Sequence, residues 1–328
     1  MKSCIVTLIL PLCVIHGGYS TTSDIENNTP IKKLLMYTEQ RCGSTLLDSL
    51  LASHHNVFST EELFNNINLK GPLFEQRNEI FEQEIGFTYD KNIRRNPTST
   101  LTRLWSERRG KNETASSRYQ VIGVKIHHQH LDTSSLENII QTFHGNDLKI
   151  IYMYRSDLLA QYTSLMIAKS SSEWHLQNTS GHTVTVQASR FHSHVCKELD
   201  YASFASILQR YNQTYFSVEY ERDLNDYHRL PHVLANIQRY MGLNRTKLQS
   251  QMFKQTTVPL ETQVTNWGDL PSGITDYHYK YRNLTGFLWD LCEKQRSGLC
   301  PKDIFMMNDS NKYFDMVSRF VKLDVSRE

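Results

Sequence analysis

The residues best placed for chemistry are Arg41-Cys42-Gly43-Ser44-Thr45. They follow the apolar run Lys33 to Thr38 and precede a helical spacing of Leu46, Leu47, Leu50 and Leu51. Backbone N–H groups at a helix start have no intrahelical partner and point toward any anion placed there. Gly43 permits close backbone approach, Ser44 and Thr45 add hydroxyl donors, and Arg41 adds a charged fork. The pattern suits a phosphate or sulfate. It also suits an ordinary turn with a Ser cap. It is not G-x-x-x-x-G-K-[ST], because there is one Gly and no Lys beside the Ser. That disfavours a nucleoside triphosphatase.

A second group of polar residues follows. Glu61 and Glu62 come after Ser59-Thr60, where acids can serve a helix N-terminus or take a proton from an acceptor hydroxyl. Lys125 lies near the end of an expected strand. Beyond it, His128 and His130 would share a face if the strand continued. No Cys or carboxylate cluster accompanies the histidines, so no metal site is expected. Of the six cysteines, Cys4 and Cys13 fall in the leader, and Cys292 and Cys300 enclose a short loop that suits a disulfide in an oxidising lumen. Cys42 and Cys196 are left either free or paired.

Elements that could position these groups alternate along the chain. Strands are expected at 33–38, 119–126, 148–154 and 215–220. Helices are expected over 132–143, 155–169, 199–211 and 231–241, and a terminal helix over 311–323. Residues 65–117 read as helical pieces and loops. The run Ile150, Ile151, Met153 is typical of a strand covered on both faces. This alternation predicts an α/β single domain with a mainly parallel central sheet flanked by helices.

Net charge is +2, from 36 basic and 34 acidic side chains, which argues against a nucleic-acid partner. Residues 1–20 read as a signal peptide or an uncleaved signal anchor, and a membrane is expected only in the second case. Residues 21–31 read as a linker, and 32–328 as one domain with a C-terminal extension from about 271. Seven N-x-[ST] sequons begin at Asn27, Asn112, Asn178, Asn212, Asn244, Asn283 and Asn308. With the leader they predict the secretory lumen, either Golgi or secreted.

RCGSTLLDSLLASHH followed by NVFSTEELF resembles the opening of the sulfotransferases, where R-x-G-S-[ST] forms the 5′-phosphosulfate loop. KIIYMYRSDLLAQYTSL resembles the family's 3′-phosphate motif, with Arg155 and Ser164 on the matching positions. FSVEYERDL is a weaker match. Glu62-Leu63-Phe64, Gly123-Val124-Lys125, Leu159-Ala160-Gln161 with Trp174-His175, and Asn266-Trp267 look most like the carbohydrate and trehalose-sulfotransferase branch.

The resemblance covers roughly residues 33 to 270 and implies a P-loop-like fold. It implies 3′-phosphoadenosine 5′-phosphosulfate (PAPS) as donor, held by Arg41, Cys42, Gly43, Ser44, Thr45, Leu46, Arg155 and Ser164. It implies Glu62 as general base; Arg41 would stabilise the charge on the leaving group, Lys125 would face the site from its strand end, and no metal is expected. The acceptor would be a carbohydrate or glycoconjugate hydroxyl. The alternatives are a protein tyrosine acceptor, or a non-catalytic secreted glycan-binding protein on the same fold.

Overall fold

The computed structural model describes residues 31–65, 72–88, 93–106, 119–145, 147–172, 179–250, 252, 258–272, 274, 275 and 278. The leader, the tail with its expected helix at 311–323, Cys292 and Cys300, and Trp174-His175 lie outside them. Five strands form one sheet: β1 (Lys32–Thr38), β2 (Val57–Ser59), β3 (Val121–His127), β4 (Leu148–Tyr154) and β5 (Phe216–Glu219). Their order is β2-β3-β1-β4-β5, and every pairing is parallel. The helices are α1 (Ser44–Ala52), α2 (Pro72–Ile85), α3 (Pro97–Ser106), α4 (Thr133–Phe143), α5 (Leu158–Ser171), α6 (Ala188–Arg210), α7 (Leu230–Tyr240) and the short α8 (Leu260–Gln263).

The sheet is covered on both faces, which explains its apolar strands. Side chains alternate between faces along β1. Leu34 and Met36 pack with Leu47, Leu50 and Leu51 of α1 and with Val233, Leu234 and Ile237 of α7. Leu35 and Tyr37 join the opposite layer, with Leu101 and Leu104 of α3, Ile139 and Ile140 of α4, and Phe204 and Leu208 of α6. β1 is the central strand, pairing Leu35 with Val124 of β3 and Ile150 of β4. The carboxyl ends of the three strands therefore open on one rim.

Several boundaries differ from the sequence reading. α5 begins at Leu158 because Asp157 caps it, accepting from the Ala160 N–H at 2.9 Å. Arg155 and Ser156 thus stand before the helix. α6 begins at Ala188, well before position 199. Its early turns carry Ser and His, which favour a helix weakly, but Phe191 and Val195 pack on Leu158, Leu159 and Tyr162. The strand reading beyond Lys125 also needs correction. β3 ends at His127, and His128–His130 form a 3₁₀ turn in which His130 Nδ1 accepts the His127 N–H at 3.2 Å. His128 and His130 therefore do not share a strand face.

β2 escaped the sequence reading because it has three residues. It continues along β3 through single bonds, Thr60 N–H to the Gly123 carbonyl at 2.8 Å and Lys125 N–H to the Glu61 carbonyl at 2.9 Å. Those bonds carry the following residue, Glu62, to the end of β3. Among the described residues, no helix is long and apolar enough to cross a membrane.

Leu35 is fully buried in the central strand. Leu35→Ala should cost about 2–5 kcal/mol of stability. The expected readout is a lower urea midpoint with an unchanged denaturant slope.

Candidate active site

The turn between β1 and α1 is the first component. Arg41 and Gly43 both take the left-handed conformation, at φ 65° and 75°. Such a conformation is uncommon for Arg and persists only where the surroundings enforce it. α1 starts without a side-chain cap and without an acid in its first turn, so its first N–H groups are left for another acceptor. Ser44 is buried there, and Thr45 and Leu46 are half-buried. Cys42 is buried, and its sulfur lies 3.4 Å from Gln161 Nε2, which also donates to the Gln40 carbonyl at 2.9 Å. Gln161, on α5, thus ties that helix to the turn.

The second component comes from the end of β4. Arg155 Nε donates to Glu221 Oε1 at 2.6 Å, and its Nη1 donates to the Arg41 carbonyl at 3.3 Å. Arg41 Nε in turn donates to Ser164 Oγ at 2.9 Å. Arg41, Arg155 and Ser164 are therefore one cluster. Tyr220 joins both parts, for Arg155 lies 4.6 Å from the centre of its ring. A Cβ added to Gly43 would fall 2.6 Å from that ring. Only Gly fits there.

Two guanidinium groups packed this way raise each other's electrostatic cost. Burial, then the Arg155 charge, lowers the Arg41 pKa to about 10. Burial also opposes the Arg155 charge, but Glu221, then Tyr220 and Asp157, outweigh it and hold Arg155 above its ordinary value. Arg155 is thus paired with Glu221, and Arg41 Nε donates to the Ser164 hydroxyl. An anion against Arg41 and the open start of α1 would relieve that cost. Glu39, at the head of the same turn, is pushed up to about 7 by burial, against the Gln40 N–H and the Lys197 charge.

The third component gathers at the end of β3. Glu62 Oε1 lies 3.4 Å from Lys125 Nζ and 3.0 Å from His127 Nε2, and Oε2 accepts from Asn65 Nδ2 at 2.6 Å. Burial alone would raise the Glu62 pKa, but the His127 hydrogen bond, the Lys125 charge and Asn65 hold it well below the usual carboxylate range. Lys125 also reaches Asp48 of α1 at 3.9 Å, and Asp48 accepts from Ser59 at 2.6 Å. This links the group to α1, which starts at the anion turn. Glu62 is more exposed, at 18% of its side chain, than Lys125 at 3% and His127 at 6%, so of these three it has the most access to a ligand. Glu61, its neighbour, is exposed and pairs with Arg77 at 3.8 Å.

Arg41 to Leu46, Arg155, Ser164, Glu62 and Lys125 fall into these three components, joined through α1 and α5. Sequence reasoning gave no role to Asp48, Asn65, Gln161, Tyr220 or Glu221, although all but Asn65 lie in the segments that carry the resemblance. It singled out His128 and His130 and gave no role to their neighbour His127. The signal of the residues passed over is spatial, since each gains its meaning from a partner distant in the chain. Among the described residues, no group of three or more His, Cys, Asp or Glu is arranged to hold a metal.

No family model and no curated protein matches the chain. Among solved structures it is similar to the "Sulfotransferase Domain from the Synechococcus PCC 7002 Olefin Synthase", at 14% identity and a TM-score of 0.34. The match covers 80% of this chain and 97% of that one.

Gly43→Ala places a methyl group into the Tyr220 ring and a side chain into a left-handed conformation. Loss of at least about 1 kcal/mol of stability is expected. A lower urea midpoint than that of the parent protein is the readout.

Proposed function

We propose that this protein is a PAPS-dependent sulfotransferase acting on a hydroxyl of a carbohydrate or glycoconjugate. One observation carries the reading: Arg41, Arg155 and Ser164, the residues that match the family's two phosphate motifs, meet in a single cluster at the open start of α1. The donor carries phosphate groups at two ends of one nucleoside and needs two grips in one place. An open parallel sheet binds ligands at this rim.

The acceptor oxygen would attack sulfur while the bond from sulfur to the bridging phosphate oxygen breaks. Adenosine 3′,5′-bisphosphate leaves with the bonding pair and the added charge. Arg41 and the α1 N–H groups would stabilise that charge. The acceptor proton would pass to the Glu62 carboxylate, held by Lys125, His127 and Asn65. Because its pKa is depressed, Glu62 stays ionised throughout the neutral range and is a weak base. Positioning and charge stabilisation therefore supply most of the rate, as in phosphoryl transfer. The acceptor class rests on the resemblance of the Glu62 segment to the carbohydrate branch.

The decisive test is transfer of labelled sulfate from PAPS to a panel of glycans and tyrosine peptides. Arg155→Ala should weaken adenosine 3′,5′-bisphosphate binding at least about tenfold, about 1.4 kcal/mol. Glu62→Gln should leave that binding intact and lower kcat at least about 100-fold. Full turnover in Glu62→Gln removes Glu62 as base. Nucleotide binding unaffected by Arg155→Ala, in a folded variant, removes the donor site.

Glu39 gives a pH signature. Its folded pKa is raised, so it gains a proton as pH falls through about 7. The site then loses a negative charge, and an anionic donor binds more tightly. Affinity for adenosine 3′,5′-bisphosphate should rise from about pH 8 to about pH 6. Glu39→Gln should flatten that part of the profile.

A further inference from the structure

The rim of the sheet opposite the candidate active site carries a different signal. α6 ends at Arg210, and the chain turns through Tyr211 and Asn212 into β5. Asn212 is exposed and left-handed, at φ 49°. It begins the sequon Asn212-Gln213-Thr214. Gln213 is buried and anchors the turn, accepting from the Gly145 N–H at 2.8 Å and donating to the Leu148 carbonyl at 3.0 Å. Asn212 and Thr214 on either side face solvent. None of the hydrogen bonds among the described residues uses the Asn212 carboxamide.

Beside it lies a cavity of ≈ 250 Å³, lined by Leu208, Gln209, Asn212, Thr214 and Tyr215 among others. It is below the size of a typical small-molecule site. Tyr215 is an exposed large aromatic, at 36%, braced edge-on by Tyr152 at 5.7 Å. An aromatic face beside amide and hydroxyl groups suits one sugar ring. A second sequon, at Asn244, is also exposed. The Asn244 carbonyl is met by His54 beyond the end of α1, and Gly242 by Lys32 at the start of β1, so it lies on this same rim. A glycan here would leave the opposite rim open.

We infer that Asn212 carries an N-linked glycan whose first sugar rests on Tyr215 in the adjoining cavity. This does not depend on the proposed sulfotransferase activity. Asn212 also has a purely structural use, because Asn tolerates the left-handed position after a helix. The test separates the two roles.

The full chain, with its own amino terminus, is produced in a eukaryotic secretory host. After peptide N-glycosidase treatment, mass spectrometry should find position 212 converted from Asn to Asp. Asn212→Gly keeps the backbone freedom and should lose the modification. Thr214→Ala keeps Asn212 and should lose it too, and Thr214→Ser should retain it. An unmodified Asn212 in the parent protein overturns the inference. For the cavity, Thr214→Ala should lower Tm in the parent and not in Tyr215→Ala, beyond any difference seen in unglycosylated bacterial protein. Equal shifts in both backgrounds would remove the sugar–Tyr215 contact.

Discussion

Two half-buried cations packed against one turn are the constraint on which this rim of the molecule depends. Arg155 reaches the Arg41 backbone, and Arg41 reaches Ser164. Like charges in a poorly solvated place repel strongly, and Glu221 offsets that of Arg155 at 2.6 Å. The surroundings must hold the arrangement against that repulsion. Tyr220 packs beneath Gly43 and Arg155, and Gln161 fixes the turn from α5. The left-handed Arg41 backbone is part of the same cost. Unfavourable local terms that persist in a folded protein tend to mark function. Here their sign favours an anion.

The sheet makes this possible through register. β1, β3 and β4 pair in parallel, so three chain segments far apart in sequence end side by side. One end supplies the turn with Arg41, another supplies Arg155, and the third supplies Lys125 and His127. The layers of apolar side chains on both faces hold that register, because a one-residue slip would turn each strand's inward set outward. The stability of the core and the geometry of the site are thus one problem.

Glu62 shows how a depressed pKa and a reactive position can coincide. Three donors stabilise its charge, which lowers its basicity but fixes both oxygens in space. For a reaction whose barrier is reduced mainly by positioning, a weak base in the right place suffices. Asp48 balances the second side of Lys125. Ion, hydrogen bond and helix therefore form a chain from the candidate base back to the anion turn.

Much of the fold is legible in the residues themselves. The unbroken apolar run at β4, the Leu spacing of α1 and the alternation of both element types specify a buried parallel sheet, because those patterns depend only on local periodicity and burial. Arg41 to Thr45 is likewise legible as a possible anion turn, since helix starts obey local rules. Tertiary structure alone decided the rest. β2 is too short to have a period, yet it delivers Glu62. The early turns of α6 are helical because of Phe191 and Val195, against weak propensity. That Arg41 meets Ser164, that Glu62 rather than Glu61 meets Lys125 and His127, and that Tyr220 makes Gly43 irreplaceable all follow from contacts between distant segments. Such contacts have no signature within a window of sequence, because packing and electrostatics act on distance in space.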